Sequence, residues 1–339
     1  MSSIARLPAV LIASLTISSA FAQGEANVVC SAPITWCEAT AAAFHRASGV
    51  DINLTLKGAD EAAAQIAYER ADPKHDLWFG GAGYQHMQIA DAGLTEEYRS
   101  PLLPQLHDWA ARQAERSGWR TVALYAGVLG IAYNGDQLAK KKRRAPECWS
   151  DLARPEYRDA VQMGDPHSSA SAYATIATLV QLFGEDRAFE LLRDVHRNVR
   201  DYRRTEAGSM RAAARGEALI AVTFLHDAMT EIVHGFPIRL VLPCEGIGYE
   251  LGSMSIVKGA RNLENARRFY DWALTPAAQQ IGGDTRNFQM PSNRATPIPR
   301  DAAMMGEITL IAKDLALYGT AERRRLLERW DSEVRASPR

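Results

Sequence analysis

The chain is poor in cysteine. It has four in 339 residues, none of them in a C-x-x-C pair or near a His-x-x-x-His spacing. The absence of these spacings argues against a zinc centre or a catalytic thiol. The chain also lacks an excess of either charge, because 39 Lys and Arg residues balance 40 Asp and Glu residues. A nucleic-acid-binding surface would need a clear basic excess, so the sequence predicts no nucleic-acid partner.

Long apolar runs and catalytic motifs are also missing. Beyond the first 22 residues, no apolar run approaches the length of a membrane span. No G-x-S-x-G nucleophile motif occurs, and the eight histidines are scattered along the chain. The sequence therefore predicts neither an enzyme nor a cofactor nor a resident metal. The basic run 140–144 is the strongest local concentration of charge, and we interpret it as a solvated loop.

The N-terminus has the pattern of an export signal. Arg6 is followed by an apolar run from Leu7 to Ile17 and then by the small-residue sequence 20–22, which reads A-F-A. Such a segment is too short to span a bilayer and ends in a processing site, so residues 1–22 are predicted to be removed. We expect a soluble mature protein in a bacterial periplasm. In an exported chain the four cysteines predict disulfides, for which three pairings are possible.

Strand and helix patterns alternate along the first part of the chain. The strands are predicted at 27–29, 50–54 and 76–79, and the helices at 35–46 and 61–70. This order predicts an open α/β sheet with helices on both faces. In such sheets ligands bind beyond the carboxyl ends of the strands, where helices begin.

A second α/β unit follows. Its predicted elements are strands at 161–163 and 218–224, helices at 169–183 and 185–195, and a mostly helical C-terminal part. The long apolar segment 123–133 is predicted to cross between the two units, and either 238–242 or 252–257 would cross back. Two α/β lobes joined by crossing strands would leave a cleft that can close around a ligand.

Two segments are candidates for binding an anion. After the turn 164–166, Ser168, Ser169 and Ser171 lie where a helix is predicted to begin, so backbone N–H groups and hydroxyls would face the cleft. One serine capping the helix is the alternative. In the opening segment Ser31 is followed by Thr35, which could cap the first helix, and by Trp36, which could form an apolar wall or pack in the core.

Three ionisable residues are candidates for contacts with a polar ligand. His226 and Asp227 follow the apolar strand 218–224, and Glu250 is predicted just before the strand 252–257. His226 can donate to an anion or a hydroxyl near neutral pH. Asp227 and Glu250 together form a plausible acceptor pair for a polyol. Acid–base catalysis by these groups is disfavoured because no nucleophile or metal cluster accompanies them.

Taken in order, several motifs resemble the periplasmic substrate-binding proteins of ABC importers, in the ferric-iron-type class. They lie at 78–81 (W-F-G-G), 130–134 (G-I-A-Y-N), 165–166 (D-P), 215–218 (R-G-E-A) and 258–262 (K-G-A-R-N). The resemblance covers nearly the whole mature chain. It implies a two-lobe type II fold, an α/β architecture with hinge strands and a ligand cleft between the lobes.

Within that class the chain looks closest to the branch that binds hexose phosphates. Iron binders use adjacent tyrosines, whereas this chain has no Tyr-Tyr pair. Carried over from the branch, His226, Asp227 and Glu250 would contact the sugar, while the segments 31–36 and 168–171, with Thr205, would hold the phosphate. The resemblance also implies a membrane ABC permease as the partner, and we expect a monomer.

The residue pattern leaves three other ligands or activities open. A 2-aminoethylphosphonate-like ligand would use the same anion site, with Asp227 and Glu250 facing its ammonium group. Ferric iron would need scattered ligands such as Tyr202, Tyr249 and His226. A secreted sugar-phosphate hydrolase is the third alternative.

The lobe boundaries and the disulfide pairing are further expectations. The first lobe is placed at 23–127 with about 243–285, and the second at 128–242 with about 286–339. A bond between Cys30 and Cys37 would be local. Cys148 and Cys244 would then close a long loop.

Overall fold

A computed structural model describes residues 24–204, 206–297, 310–311 and 320–339 of the chain. The predicted signal segment 1–22 and the predicted ligand residue Thr205 lie outside these residues. None of the helices in the described part is both long and apolar enough to cross a bilayer.

Strands and helices alternate as the sequence predicts. The elements up to the first crossing are β1 (Glu25–Ser31), α1 (Ile34–Ser48), β2 (Asp51–Leu56), α2 (Ala59–Tyr68), β3 (Leu77–Ala82), α3 (Gly83–Asp91), α4 (Asp108–Arg116) and β4 (Val122–Asn134). The next elements are α5 (Gly135–Lys140), β5 (Val161–Gly164), α6 (Ala170–Phe183), α7 (Glu185–His196), β6 (Val199–Arg203), α8 (Glu206–Ala214), β7 (Ile220–Phe224), α9 (Leu225–Val233) and β8 (Ile238–Val241). The last are β9 (Tyr249–Ile256), α10 (Leu263–Ala273), α11 (Pro276–Asp284), β10 (Met290–Pro291) and α12 (Thr320–Arg329).

Two sheets share the long strand β4, and each sheet forms the centre of one lobe. In the first lobe the order is β2-β1-β3-β9-β4, with β10 also paired to β4. In the second lobe β4 pairs with both β7 and β8, and β5 and β6 follow β7. The switch occurs between Val128, which pairs with β9, and Leu129, which pairs with β7. The predicted crossing strand is therefore β4, and the two-lobe α/β fold is confirmed.

Each lobe has its own hydrophobic core. In the first, Phe44 packs edge-on against Phe269, and Phe79 contacts the same ring. In the second, the buried side chains include Phe189 and Trp330, the latter from the π-helical segment Trp330–Arg335 that continues α12. β4 and β7 read as nearly continuous apolar runs because both faces of these strands are buried under packed helices.

The chain returns to the first lobe through the segment 242–248. β8 pairs with the second-lobe half of β4, whereas β9 pairs with its first-lobe half, so the connection between β8 and β9 makes the return. Of the three disulfide pairings, the structure has Cys30–Cys37 and Cys148–Cys244. The second bond joins this return segment to the loop before Trp149 in the second lobe.

Several local predictions were wrong. Glu250 lies within β9 rather than before a strand. His226 and Asp227 do follow the predicted strand, which ends at Phe224, but they belong to the first turn of α9, a helix that was not predicted. Thr35 does not cap α1, because the N-cap is Pro33, which has no side-chain hydrogen bond to the helix. The predictions also omitted strand β6 and the helices α3, α4, α5, α8 and α9.

The lobe boundaries remain a prediction, for which the strand pairing suggests one change. Met290 and Pro291 pair with β4 at Ala126 and Tyr125, in its first-lobe half. We therefore propose that this segment, predicted in the second lobe, belongs to the first.

Candidate functional site

A cavity lies between the two lobes, where strands end and helices begin. Its first part, of about 320 Å³, we name the helix-start chamber. It is lined by Ala59, Asp60, Ala82, Tyr84, Gln85, His167, Ser168, Ser169, Ala170, Tyr173, Glu250 and Arg323. A second part of about 200 Å³, the histidine chamber, is lined by Gly81, Ala82, Tyr125, Gly127, Ala170, Phe224, His226, Glu250, Leu251, Gly252 and Gln289. Glu250 lines both parts, so the two chambers adjoin.

Three helices begin at the helix-start chamber. α2 begins at Ala59, α3 begins at Gly83 beside Ala82, and α6 begins at Ala170. The N-caps of α2 and α3, Gly58 and Ala82, make no side-chain capping hydrogen bond among the described residues. Because the first N–H groups of a helix lack intrahelical partners and the helix dipole is positive there, this chamber favours an anion.

Glycine permits the close approach of two of these helix starts. Gly80 and Gly81 have φ angles of 77° and 85°, in the region that favours glycine. A Cβ on Gly81 would lie 3.1 Å from the Cβ of Ala59 at the start of α2. Buried His86 supports the turn, since its Nε2 lies 2.8 Å from the Gly80 carbonyl oxygen and its Nδ1 lies 2.8 Å from Ser255 Oγ. Burial lowers the pKa of His86 to about 3, so the ring is neutral.

The structure brings two of the three predicted serines to the chamber. Ser169 caps α6, its Oγ accepting from the N–H of Ala172 at 3.3 Å. Ser168 Oγ donates to the carbonyl oxygen of Arg204 at 2.9 Å. Ser171 is buried behind them, with its Oγ 3.1 Å from that of Ser169. Capping is therefore one role of these serines, and their ligand role stays a prediction.

The opening segment lines neither chamber, but it packs behind the histidine chamber, where Ser31 lies beside Gly81 and Trp36 contacts Tyr125. Ser31 Oγ accepts from the indole N–H of Trp78 at 2.8 Å, and Thr35 is exposed on α1. Trp36 is buried between Phe79 and Tyr125, with ring centroids 6.1 and 5.1 Å away. It lines a small cavity of about 20 Å³ inside the first lobe, which fits the core alternative for this side chain.

His226 faces the histidine chamber from the first turn of α9. Its ring stacks on Phe224 at a centroid distance of 5.4 Å. A Cβ on Gly127 would lie 3.2 Å from Cε1 of His226, so the absence of a side chain at this position leaves room for the imidazole ring. Gly127 is also the strand partner of Glu250, which is 8 % exposed. An imidazole and a carboxylate thus face the same chamber, which suits hydroxyl groups.

Asp227 lies beside His226 but does not line either chamber. Its Oδ1 is 3.9 Å from Nε2 of His226, and its other oxygen is 3.5 Å from Thr223 Oγ1. Burial raises the pKa of Asp227 to about 6, with Glu231 adding to the rise and Arg211 opposing it. Its predicted contact with a ligand stays a prediction.

The raised pKa predicts a pH-dependent stability. Because the folded pKa lies above the unfolded value of about 4, Asp227 favours the fold below pH 4 and loses that contribution as pH rises through 6. Asp227→Asn should therefore stabilise the empty protein by about 3 kcal/mol at pH 8. Urea denaturation of both proteins at pH 4 and pH 8 would measure this. An equal difference at both pH values would contradict it.

Several polar residues that line the helix-start chamber were not predicted from the sequence, among them Tyr84, Tyr173 and Arg323. Tyr84 is the second residue of α3, Tyr173 lies on α6, and Arg323 lies on α12. Burial raises the pKa of Tyr84 to about 12, so its hydroxyl stays protonated. No local signal marks Arg323, because it belongs to an arginine-rich helix about 70 residues beyond Glu250.

The ligands proposed for ferric iron are not brought together. Tyr202 Oη lies 2.8 Å from Nδ1 of His196, and neither Tyr202 nor Tyr249 lines the chamber that His226 faces. Within the described part of the chain, the only cluster of three or more potential metal-ligating residues combines Glu245 with Cys148 and Cys244, whose sulfurs are joined in a disulfide.

Comparisons with known proteins agree with this fold. Residues 72–304 match the family model described as bacterial extracellular solute-binding protein. An uncharacterized protein of Haemophilus influenzae is 39 % identical over 96 % of both chains. The periplasmic binding protein AfuA from Actinobacillus pleuropneumoniae, solved with fructose 6-phosphate bound, is 36 % identical and has a TM-score of 0.82, covering 93 % of this chain and all of that one. The periplasmic binding protein P5PA is 31 % identical with a TM-score of 0.78, covering 92 % and 99 %.

Proposed function

The chain belongs to the bacterial extracellular solute-binding protein family, and from that premise we propose that it binds a hexose phosphate in the interlobe cavity and delivers it to a membrane ABC permease. The convergence of three helix starts on one chamber carries the proposal, because it provides a site for an anion next to a chamber that presents the polar side chains of His226, Glu250 and Gln289.

The two chambers suit the two ends of such a ligand. A phosphate group carries about 1.5 to 2 negative charges at neutral pH, which the starts of α2, α3 and α6 would stabilise. His226 and Glu250 would bind the sugar hydroxyls in the adjoining chamber, where Tyr125 and Phe224 offer apolar surface. The similarity to AfuA, whose structure contains fructose 6-phosphate, supports the same ligand class.

The setting of this function is also proposed. We infer a periplasmic protein, exported with a signal peptide that is cleaved after Ala22. Its role would be capture and delivery without catalysis. Ligand contacts from both lobes would stabilise the closed arrangement, which the permease would then recognise.

A thermal-shift screen followed by isothermal titration calorimetry of the mature protein tests the function. The ligands are fructose 6-phosphate, glucose 6-phosphate, fructose, inorganic phosphate, 2-aminoethylphosphonate and ferric citrate. A ligand at a hundredfold over its Kd adds about 2.7 kcal/mol to stability, which moves Tm measurably.

We expect a shift with hexose phosphates and little or none with fructose. A shift with 2-aminoethylphosphonate alone would reassign the carboxylates to an ammonium group. A shift with iron alone would overturn the proposal, and so would release of phosphate from the sugar phosphates.

A further inference from the structure

We propose that Arg323 recognises the anionic group of the ligand and couples that recognition to the contact between the lobes. The inference rests on the proposed function and adds a specificity-determining residue to it. Arg323 lies on α12 and lines the helix-start chamber together with the starts of α2, α3 and α6.

Ion pairs fix α12 against the second lobe but leave Arg323 out. Arg325 pairs with Glu185 at 2.6 Å, and Arg329 pairs with Glu185 at 2.7 Å and with Glu333 at 2.8 Å. Arg323 makes no ion pair with a carboxylate of the described residues. Its Nε is buried and has no hydrogen-bond partner among them. A buried guanidinium N–H without an acceptor is energetically costly, so an anionic ligand is the natural complement.

The guanidinium of Arg323 lies against one tyrosine from each lobe. Its Cζ is 4.9 Å from the ring centroid of Tyr173 on α6 in the second lobe. It is 5.9 Å from that of Tyr84 on α3 in the first lobe. Both distances fall within the range of cation–π attraction. Arg323 therefore touches both sides of the cavity.

The chemistry of arginine explains why this position would select phosphate. A guanidinium packed on rings keeps its in-plane N–H groups for acceptors, and its fork matches two oxygens of a phosphate. A phosphorylated ligand bound to Arg323 would hold the guanidinium between Tyr84 and Tyr173. Because these tyrosines belong to different lobes, this would stabilise the closed arrangement of the lobes. A neutral sugar cannot pair with Arg323 and would therefore stabilise the closed arrangement less.

Calorimetry on Arg323→Gln tests the inference, with Arg46→Gln as the control. Arg46 is an exposed arginine on α1 that lines neither chamber, so both variants lose one positive charge but only one of them loses it at the site. Charge-assisted hydrogen bonds contribute about 1.5–3 kcal/mol each. We therefore expect Arg323→Gln to weaken fructose 6-phosphate binding about 10- to 100-fold and Arg46→Gln to change it less than about threefold. Weak binding of fructose should be the same in all three proteins.

Arg323→Lys separates charge from geometry. It keeps the positive charge but loses the planar fork, so we expect an intermediate loss. Equal affinity of Arg323→Gln and wild type for fructose 6-phosphate would overturn the inference and leave the proposed function standing. If the wild type binds 2-aminoethylphosphonate instead, the proposed ligand is wrong, and the same comparison made with that phosphonate decides the role of Arg323. Binding of neutral solutes alone would overturn both.

Discussion

Replacing Cys148 and Cys244 together by alanine is expected to lower the unfolding free energy by about 4 kcal/mol. The two residues are 96 positions apart, so their bond closes a long loop in the unfolded chain. In the chain-entropy account, a loop of about 100 residues contributes close to 4.7 kcal/mol. The bond also holds the return segment 242–248 against the second lobe, where the N–H of Cys244 donates to the carbonyl oxygen of Glu147 at 3.0 Å.

Urea denaturation under oxidising conditions measures this loss, and Glu245→Ala provides the control. Glu245 accepts hydrogen bonds from the N–H groups of Trp149 at 2.6 Å and Ser150 at 2.9 Å. These bonds hold the same return segment against the second lobe without involving the disulfide. We expect that variant to lose about 1 kcal/mol, as for a helix cap. If the disulfide variant loses no more unfolding free energy than Glu245→Ala does, loop closure contributes little to the stability of this protein.

The second large effect is expected at Glu250. Glu250→Gln should weaken hexose phosphate binding about 100-fold while leaving the Tm of the empty protein at or above that of the wild type. The carboxylate is buried where both chambers meet, and ionised acceptors bind hydroxyls more strongly than amides do. Two charge-assisted hydrogen bonds weakened together account for a change of this size.

Glu231→Gln is the matched control for Glu250→Gln. Glu231 is equally buried, at 8 % exposure, but it lies on α9 and lines neither chamber. Its variant should bind the ligand within about threefold of the wild type. Equal affinities for all three proteins would remove Glu250 from the site. A different outcome would favour an ammonium partner for this carboxylate. In that case the wild type binds 2-aminoethylphosphonate but no sugar phosphate, and Glu250→Gln loses the phosphonate completely.

Much of the fold could be predicted from local sequence patterns. The apolar run 123–133 predicts the strand shared by the lobes because a strand covered on both faces shows no polar alternation. The strand Val199–Arg203 was not predicted because most of its residues are polar and partly exposed, so it shows no apolar run. Only Val199 in it is fully buried, and its strand conformation depends on pairing with β5.

For the candidate site, the sequence by itself determined which local chemistry is present. Ser169 caps a helix after a strand, and His226 follows one, because capping and strand ends depend on a few neighbouring residues. Only the tertiary structure decided which of these groups meet. It buries Trp36 in the first lobe and brings Arg323 to Tyr84 and Tyr173. Such contacts follow from strand register and from the packing of elements far apart in the chain, which no local periodicity encodes.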